Sequence, residues 1–321
     1  MIVSKQTYSR NRWVIIALLV LITLFFVACS NNASRAQFRY FLSNRLFPPE
    51  SATNFQKAEP DFVAIGSSAM VASESTLASE VGRDVIKRGG NAIDAAIAVS
   101  FLVAVYRPQS TGIGGGGFML IYKPDLDQSV FLDFRERAPR NASTTMFIAS
   151  EGASDDLSRV GGLAVAVPGL VAGLWEAYQQ HGSGKIPWAQ LVAPAAKMAK
   201  EGFEVYPHLA EAIGWFVENQ YHKRFPDLAK LLLRADGTPK LVGDIFTQPR
   251  LAETLKKIAV AGPKAFYEGA VADDIVSSNR KYGGILEKSD LLNYEVKYRD
   301  VIEGEFRGYR VISSPPPSSG G

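Results

Sequence analysis

Four charged side chains occupy a stretch of five positions directly after an apolar segment. They are Asp133, Arg135, Glu136 and Arg137. The planar guanidinium of an arginine suits a bidentate contact with a carboxylate, so Arg135 is a candidate for binding an anionic ligand. The alternative is a structural ion pair between Arg135 and Asp133 or Glu136, and the spacing alone favours this pair.

A run of glycines lies shortly before this charged cluster. Glycine has no Cβ, so it can adopt positive φ and allows another backbone or a ligand to come close. The letters fit G-x-G-x-x-G, but a dinucleotide site needs a strand before the glycines and a helix after them, and here the order is reversed. A P-loop is excluded because no Lys-Ser or Lys-Thr pair follows the run. The glycines, which indicate a tight structural requirement, are Gly112, Gly114, Gly115, Gly116 and Gly117.

Other common kinds of site are not supported by the sequence. The histidines His181, His208 and His222 lie on separate segments without cysteine partners or an H-E-x-x-H motif, so no metal site is predicted. The G-x-S-x-G elbow of serine hydrolases does not occur. The net charge is only +3 and basic residues alternate with acidic ones, which argues against nucleic-acid binding.

The glycine run is flanked by elements that would position it. Residues 92–106 are apolar almost all round and follow the N-cap residue Asn91, which predicts a buried helix. After the glycines, residues 118–122 and 130–134 are rich in β-branched and aromatic side chains and predict a hairpin. Arg135 would then leave the end of the second strand.

The remaining segments predict further helices and a second hairpin. A helix should run from the N-cap Ser75 to Gly89-Gly90, with Leu77, Val81 and Val85 on its buried face. The other predicted elements are a strand over 163–167, helices over 168–180, 187–202 and most of 207–280, and a hairpin formed by 298–306 and 309–313. With strands near both ends and no regular βαβ alternation, these 321 residues predict an α+β fold.

The first sixty residues carry a targeting signal. Basic residues precede an apolar run from Trp13 to Ala28, which is typical of a secretion signal and short for a membrane span. Cys29 follows this run as in the lipobox of bacterial lipoproteins, so residues 1–28 are predicted to be a signal peptide and Cys29 to carry lipid. An uncleaved anchor helix with an incidental cysteine is the alternative.

Both interpretations place the rest of the chain outside the cytoplasm, anchored to a membrane of the cell envelope. Residues 29–60 mix Asn, Ser and Pro without a steady hydrophobic period, which suits a tether. Cys29 is the single cysteine, so an internal disulfide is impossible and the domain of residues 61–321 must be stable through its core.

Six motifs, taken together and in this order, resemble the large subunit of the γ-glutamyltranspeptidases. The resemblance extends from about residue 61 to the last residue, and the ordered set is far more specific than any single glycine run. The motifs are Ala69-Met-Val-Ala-Ser, Gly89-Gly-Asn-Ala-Ile-Asp-Ala-Ala, Gly112-Ile-Gly-Gly-Gly-Gly-Phe-Met-Leu, Asp133-Phe-Arg-Glu-Arg-Ala-Pro, Val167-Pro-Gly and Pro315-Pro-Pro-Ser-Ser-Gly-Gly.

The resemblance implies an N-terminal-nucleophile hydrolase with an αββα sandwich, of which this chain would form the large-subunit part. In that family a precursor cuts itself, and the freed N-terminal threonine of the small subunit attacks the γ-glutamyl amide of glutathione or a related compound. Water, an amino acid or a peptide then accepts the γ-glutamyl group. The implied partners are these substrates and the small subunit, and the resemblance implies no metal or organic cofactor.

Carried over residue by residue, the resemblance assigns Arg135 to the arginine that binds the substrate α-carboxylate, which reverses the preference for an ion pair. Gly112 to Gly117 match a loop that we interpret as architectural. The nucleophile motif of the family, expected after the Ser-Ser-Gly-Gly element, is not in this chain, so no catalytic residue is assigned and the chain is predicted to be inactive alone. Two alternatives stay open: an inactive envelope lipoprotein that binds γ-glutamyl compounds, and a related acylase.

Overall fold

The computed structural model describes residues 64–148 and 156–319. The predicted signal peptide 1–28, the lipid site Cys29 and the tether 29–60 lie outside these residues. The chain divides into two units, Met1–Ser67 and Ser68–Gly321, and the second unit holds all the helices and strands given below. Among the helices of the described ranges, none combines the length and the apolar character that crossing a bilayer requires.

Helical residues outnumber strand residues in the described part of the second unit, and short strands occur near its start, middle and end. The helices are α1 Thr76–Lys87, α2 Ala92–Tyr106, α3 Leu170–His181, α4 Trp188–Glu201, α5 Pro207–Glu218, α6 Tyr221–Arg224, α7 Pro226–Leu232, α8 Pro249–Ala261, α9 Lys264–Tyr267, α10 Gly269–Lys281 and α11 Lys288–Leu292. The strands are β1 Phe118–Lys123, β2 Gln128–Asp133, β3 Phe203–Glu204, β4 Ile245–Phe246, β5 Lys297–Arg299, β6 Ile302–Phe306 and β7 Tyr309–Ser313.

Helices α1 and α2 begin at the residues that their caps predict. The Ser75 side chain accepts a hydrogen bond from the N–H of Ala78, which satisfies one of the donors that a helix start leaves open. Asn91 forms a capping box with Asp94, and α2 covers the predicted residues 92–106. Both helix predictions are therefore confirmed.

The predicted buried face of α1 is confirmed at Val85 and wrong at Leu77. Leu77 is 43% exposed, whereas Ala78 and Gly82 are buried. A methyl group on Gly82 would lie 2.8 Å from side-chain atoms of both Val71 and Val99, so only glycine allows α1 to come this close to α2. Close packing selects the smallest side chains for this contact, and hydrophobicity alone does not reveal them.

The core lies where α2 packs against α1, α3 and α4, with α8 covering the other side of α4. Trp188 at the start of α4 meets the ring of Phe101 edge-on, with ring centres 5.5 Å apart, and its indole N–H donates to the carbonyl of Ile258 at 2.9 Å. Pro194 lies inside α4, and Gly202 ends this helix with a φ of 88°. The core therefore consists mainly of helices.

The main sheet is antiparallel and has the order β1-β2-β5. Strands β1 and β2 form the predicted hairpin, in which Phe118 lies opposite Asp133. Strand β5 pairs with the other edge of β2, and Leu132 lies opposite Tyr298. The prediction of one continuous strand over 298–306 is therefore wrong, because β5 belongs to this sheet and β6 belongs to another.

Strands β6 and β7 form a separate two-stranded sheet. Its turn is Arg307-Gly308, where both residues have positive φ, 52° and 79°. Positive φ at both central residues is the geometry of the tight turns that suit the twist of a hairpin. The predicted second hairpin is thus confirmed from residue 302 onward.

The predicted strand over 163–167 is wrong. Residues Gly162–Ala164 form a 3-10 turn, and only Val167 pairs with another segment, through a bridge to Arg137. The backbone of the turn is held by a buried side chain, since the Asn279 amide donates to the carbonyl of Gly162 at 2.7 Å. The side-chain amide of Asn279 thus satisfies a backbone carbonyl that a neighbouring strand would satisfy in a sheet. Helices and small antiparallel sheets together confirm the α+β prediction.

Candidate functional site

Arg135 leaves the end of β2, as the sequence predicts. The antiparallel pairing continues for one residue beyond the strand, because Phe134 and Gly117 exchange hydrogen bonds of 3.0 and 3.2 Å. Arg135 follows this pair and is exposed. Its guanidinium carbon lies 5.9 Å from the centre of the Phe118 ring, a distance at which an arginine and an aromatic face attract each other.

The two carboxylates beside Arg135 do not neutralise it. Asp133 is buried and pairs with Arg299 at 2.6 Å, and it accepts the backbone N–H of Arg135 at 3.0 Å. Glu136 forms no ion pair with Arg135, and across residues 64–148 and 156–319 no other carboxylate does so. The ion pair that spacing alone favours is therefore absent from the described residues, and the Arg135 guanidinium is available to an anion.

The glycine run forms a turn that connects Arg135 to the start of α3. The N–H of Gly115 donates to the carbonyl of Gly112 at 3.0 Å. The carbonyl of Gly115 accepts the N–H groups of Gly169 and Leu170, both at 2.9 Å. The helix predicted from residue 168 begins at Leu170, and the glycine turn supplies an acceptor for N–H groups that a helix start leaves open.

One glycine of the run, Gly116, is required for close approach of two backbone segments, and two others face open space. A methyl group on Gly116 would lie 2.5 Å from the Phe134 carbonyl oxygen and 2.7 Å from the Glu136 nitrogen. No atom lies within 4 Å of a methyl group placed on Gly112 or Gly114. No glycine of this run has positive φ, so the structure uses the missing side chain at Gly116 and not the left-handed backbone.

Tyr294 is a residue of this site that the sequence analysis missed. Its hydroxyl donates to the Arg135 carbonyl oxygen at 2.8 Å across a separation of 159 residues. Burial raises the pKa of Tyr294 above its ordinary value, so the hydroxyl stays protonated and acts as a donor. Neither spacing nor local pattern could have indicated this contact. Only the structure shows that Gly169 of the Val167-Pro-Gly motif lies beside the same hydroxyl, since a methyl group there would come within 2.1 Å of its oxygen.

A small polar cavity adjoins this arrangement. Its volume is about 320 Å³, and its lining includes Arg137, Arg140, Asp290 and Tyr294. Asp290 accepts the backbone N–H of Arg140 at 2.9 Å, and Arg137 donates to the carbonyl of Glu295. The carboxylate and one guanidinium of the cavity are thus already engaged by the protein.

The histidines remain separate from Arg135 and from each other. Both ring nitrogens of His181, at the end of α3, are buried without a hydrogen-bond partner among the described residues. Burial lowers the pKa of His181, and the nearby Lys123 acts in the same direction. His208 lies at the start of α5 and His222 on α6. Within the described ranges, no three His, Cys, Asp or Glu side chains gather as metal ligands would.

A family model, described as gamma-glutamyltranspeptidase, matches residues 78–321 and therefore includes Arg135, the glycine run and Tyr294. The chain belongs to the gamma-glutamyltranspeptidase family. The glutathione hydrolase proenzyme of Bacillus subtilis is 39% identical over 276 residues, which cover 85% of this chain and 45% of that protein. The proenzyme of Escherichia coli K12 is 38% identical over 276 residues, covering 85% of this chain and 47% of that protein.

The fold of this gamma-glutamyltranspeptidase chain is also found in solved structures. The crystal structure of the Helicobacter pylori gamma-glutamyltranspeptidase matches with a TM-score of 0.75 at 39% identity, covering 80% of this chain and 73% of that one. The predicted fold class, the α+β fold of the N-terminal-nucleophile hydrolases, is thereby confirmed. The chain spans about half the length of the curated relatives named above.

Proposed function

We propose that this chain forms the large-subunit part of a γ-glutamyltransferase and glutathione hydrolase. Two observations support the proposal: membership of the gamma-glutamyltranspeptidase family, and the names of its relatives, glutathione hydrolase proenzymes. The substrates would be glutathione and other γ-glutamyl amides. Water, amino acids and peptides would accept the γ-glutamyl group.

The observation that carries this proposal is that Arg135 has a held backbone and an exposed guanidinium. Its backbone is held on both sides, its side chain is exposed, and its guanidinium forms no ion pair with the described residues. An exposed guanidinium carried on a backbone that is held in this way can bind a carboxylate through two parallel hydrogen bonds. Arg135 would bind the α-carboxylate of the γ-glutamyl donor and so present the γ-amide to the nucleophile.

The nucleophile would come from the small-subunit part of the same precursor. After self-cleavage, the hydroxyl oxygen of its N-terminal threonine would attack the γ-carbonyl carbon, while the free α-amine accepts the hydroxyl proton. The amide C–N bond then breaks, the amine leaves with that proton, and a γ-glutamyl ester remains. Water or an acceptor amine cleaves the ester in the second half of the reaction. Arg135 keeps its contact with the donor throughout.

The β6–β7 hairpin is the surface that we assign to the small-subunit part. Phe306 is 63% exposed, Tyr309 75% and Val311 45%, so three large apolar side chains lie together on a two-stranded sheet. An exposed apolar sheet of this kind is typical of an interface, because a hairpin alone buries too little surface. The proposed partner would cover these side chains.

The N-terminal segment would export the protein and hold it at the cell envelope, with lipid on Cys29. This proposal is supported by the apolar run from Trp13 to Ala28 and by the cysteine that follows it. Labelling of growing cells with radioactive palmitate tests it. Label in the wild type and none in a Cys29→Ser variant is the expected result, and equal labelling of both would contradict it.

The function is tested by γ-glutamyl release from a chromogenic γ-glutamyl anilide. The 321-residue chain is compared with a version extended through the downstream coding sequence. We expect activity only in the extended, self-cleaved form. Activity of the short chain would contradict the assignment of the nucleophile to the small subunit, and no activity in either form would contradict the proposed function.

A further inference from the structure

The structure assigns a further role to Tyr294: we propose that this residue positions Arg135 for substrate binding. The proposal rests on the proposed function, because it takes Arg135 as the carboxylate-binding residue. A bidentate contact between arginine and carboxylate depends on orientation as well as charge. The backbone that carries the arginine must therefore be fixed, since small misplacements of a substrate-binding group are costly.

The sheet alone does not fix the peptide groups of Arg135. The last paired residue of the β2 segment is Phe134, which bonds to Gly117, and the next backbone pair joins Arg137 to Val167. Arg135 lies in the gap between these pairs. Its N–H is accepted by the Asp133 side chain at 3.0 Å, and its carbonyl accepts the hydroxyl of Tyr294 at 2.8 Å. Two side chains thus replace the missing sheet partners.

Tyr294 is itself held by its neighbours. Its ring stacks on that of Tyr267, with ring centres 5.9 Å apart and an angle of 11° between the planes. Tyr267 is buried, and its hydroxyl donates to the carbonyl of Pro168 at 2.9 Å and accepts the N–H of Ala172 at 3.3 Å. The guanidinium carbon of Arg137 lies 5.2 Å from the centre of the Tyr294 ring. The hydroxyl therefore has a defined position.

Gly169 makes room for this contact. A methyl group at that position would lie 2.1 Å from the hydroxyl oxygen of Tyr294 and 2.1 Å from the carbonyl oxygen of Phe134. Any side chain on residue 169 would therefore displace the tyrosine from Arg135 or shift the backbone. The glycine of the Val167-Pro-Gly motif and Tyr294 thus act together.

The test compares two Tyr→Phe variants in the extended enzyme. Tyr294→Phe removes the hydroxyl and keeps the stacked ring. Tyr298→Phe is the matched control, because that hydroxyl donates to Glu176 at 2.9 Å and does not contact Arg135. We expect the KM for γ-glutamyl-p-nitroanilide to rise about three- to tenfold in Tyr294→Phe, with kcat within about twofold of wild type. The control should stay within about twofold in both constants.

An equal rise in KM in both variants, or a loss of kcat in Tyr294→Phe without a change in KM, would overturn the proposal. Amide hydrogen exchange of residues 133–138 gives a second measurement that needs no turnover. Faster exchange in Tyr294→Phe than in Tyr298→Phe is expected, and equal exchange would also overturn the proposal. If the wild type releases no γ-glutamyl group, the proposed function fails, and the exchange result still decides whether Tyr294 fixes the Arg135 segment.

Discussion

The segment that carries Arg135 and the β6–β7 hairpin are both short antiparallel structures, yet they are stabilised in different ways. The Arg135 segment, residues 133–137, is bonded to the glycine turn, to Val167 in the stretch that precedes α3, and to Tyr294. Within residues 64–148 and 156–319, the hairpin has backbone pairing only between its own strands. The first region is complete within the described residues, whereas the second exposes apolar side chains that a partner would cover.

The physical difference lies in burial. Around Arg135, the neighbouring Phe134 is 3% exposed and Asp133 is 6% exposed. In the hairpin, Arg310 forms ion pairs with Glu303 and with Asp127 of the β1–β2 connection, each at 2.8 Å, and all three side chains are substantially exposed. Exposed ion pairs contribute little to stability, so these links hold the hairpin only weakly. The rigid framework around Arg135 and the proposed docking surface on the β6–β7 hairpin are thus separate regions.

The largest effect is expected from the Arg135→Ala variant of the extended enzyme. Removing the guanidinium should lower kcat/KM for the γ-glutamyl donor about thirtyfold or more, because a charged contact with the substrate is lost. The free energy of unfolding should change by less than about 0.5 kcal/mol, since no described carboxylate depends on this side chain. Steady-state kinetics and urea unfolding measure the two quantities.

Arg250→Ala is the matched control for that variant. Arg250 lies on α8, where its side chain is 91% exposed and contacts Asp274 at 3.6 Å. This substitution should leave kcat/KM unchanged. If Arg135→Ala has the same donor affinity as wild type, the substrate-binding role of Arg135 is wrong.

The next effect concerns the rigidity of the Arg135 region. Gly116→Ala should lower the free energy of unfolding by about 2–3 kcal/mol, because its methyl group would collide with the backbone of the Arg135 segment. Gly114→Ala should change it by less than about 0.5 kcal/mol, because that position faces open space. Urea unfolding of both variants tests this difference. Equal losses in the free energy of unfolding would show that Gly116 and Gly114 do not differ in their need for glycine.

A substitution in the β6–β7 hairpin should affect association with the small-subunit part and leave the stability of this chain almost unchanged. Val311→Lys should leave the unfolding of this chain within about 0.5 kcal/mol of wild type, because the side chain is 45% exposed. Its association with the small-subunit part should weaken about tenfold or more, because a charge would be placed in the proposed interface. Co-purification of the two parts at graded concentrations measures the loss.

Val260→Lys provides the comparison for the hairpin variant. Val260 on α8 is 89% exposed and lies outside the proposed interface. Association should therefore be unaffected. If the two valine variants bind the small-subunit part equally well, the hairpin is not the docking surface.

The smallest expected effect is the contribution of His181 to the pH dependence of the free energy of unfolding. Burial holds its pKa below the ordinary value of about 6.5. As pH falls, His181 therefore takes up a proton in the unfolded chain at a higher pH than in the folded chain. It contributes stability above pH 6.5, and this contribution is lost progressively as pH falls from there through the lowered folded pKa. His181→Gln should reduce the slope of unfolding free energy against pH between about 7 and 5. Equal slopes in the wild type and in His181→Gln would contradict the assignment.

Local signals in the sequence predicted several elements correctly. The caps at Ser75 and Asn91 gave the starts of α1 and α2, and the glycine at 202 gave the end of α4. The β1–β2 hairpin was predicted from its aromatic and β-branched residues, and it placed Arg135 at a strand end. The expected strand over 163–167 failed because residues 162–164 form a 3-10 turn, and the carbonyl of Gly162 at its start is bonded by the side chain of Asn279, more than one hundred residues away.

The sequence by itself determined where the helices begin, where the hairpins turn and that Arg135 follows a strand, because caps, turns and periodicity act over a few residues. Only the tertiary structure decided that Asp133 pairs with Arg299, that Gly116 needs its missing side chain and that Tyr294 bonds to Arg135. These contacts join segments distant in sequence. Which segments meet is set by the packing of the whole unit, so local patterns cannot specify the partner of a given charge or carbonyl.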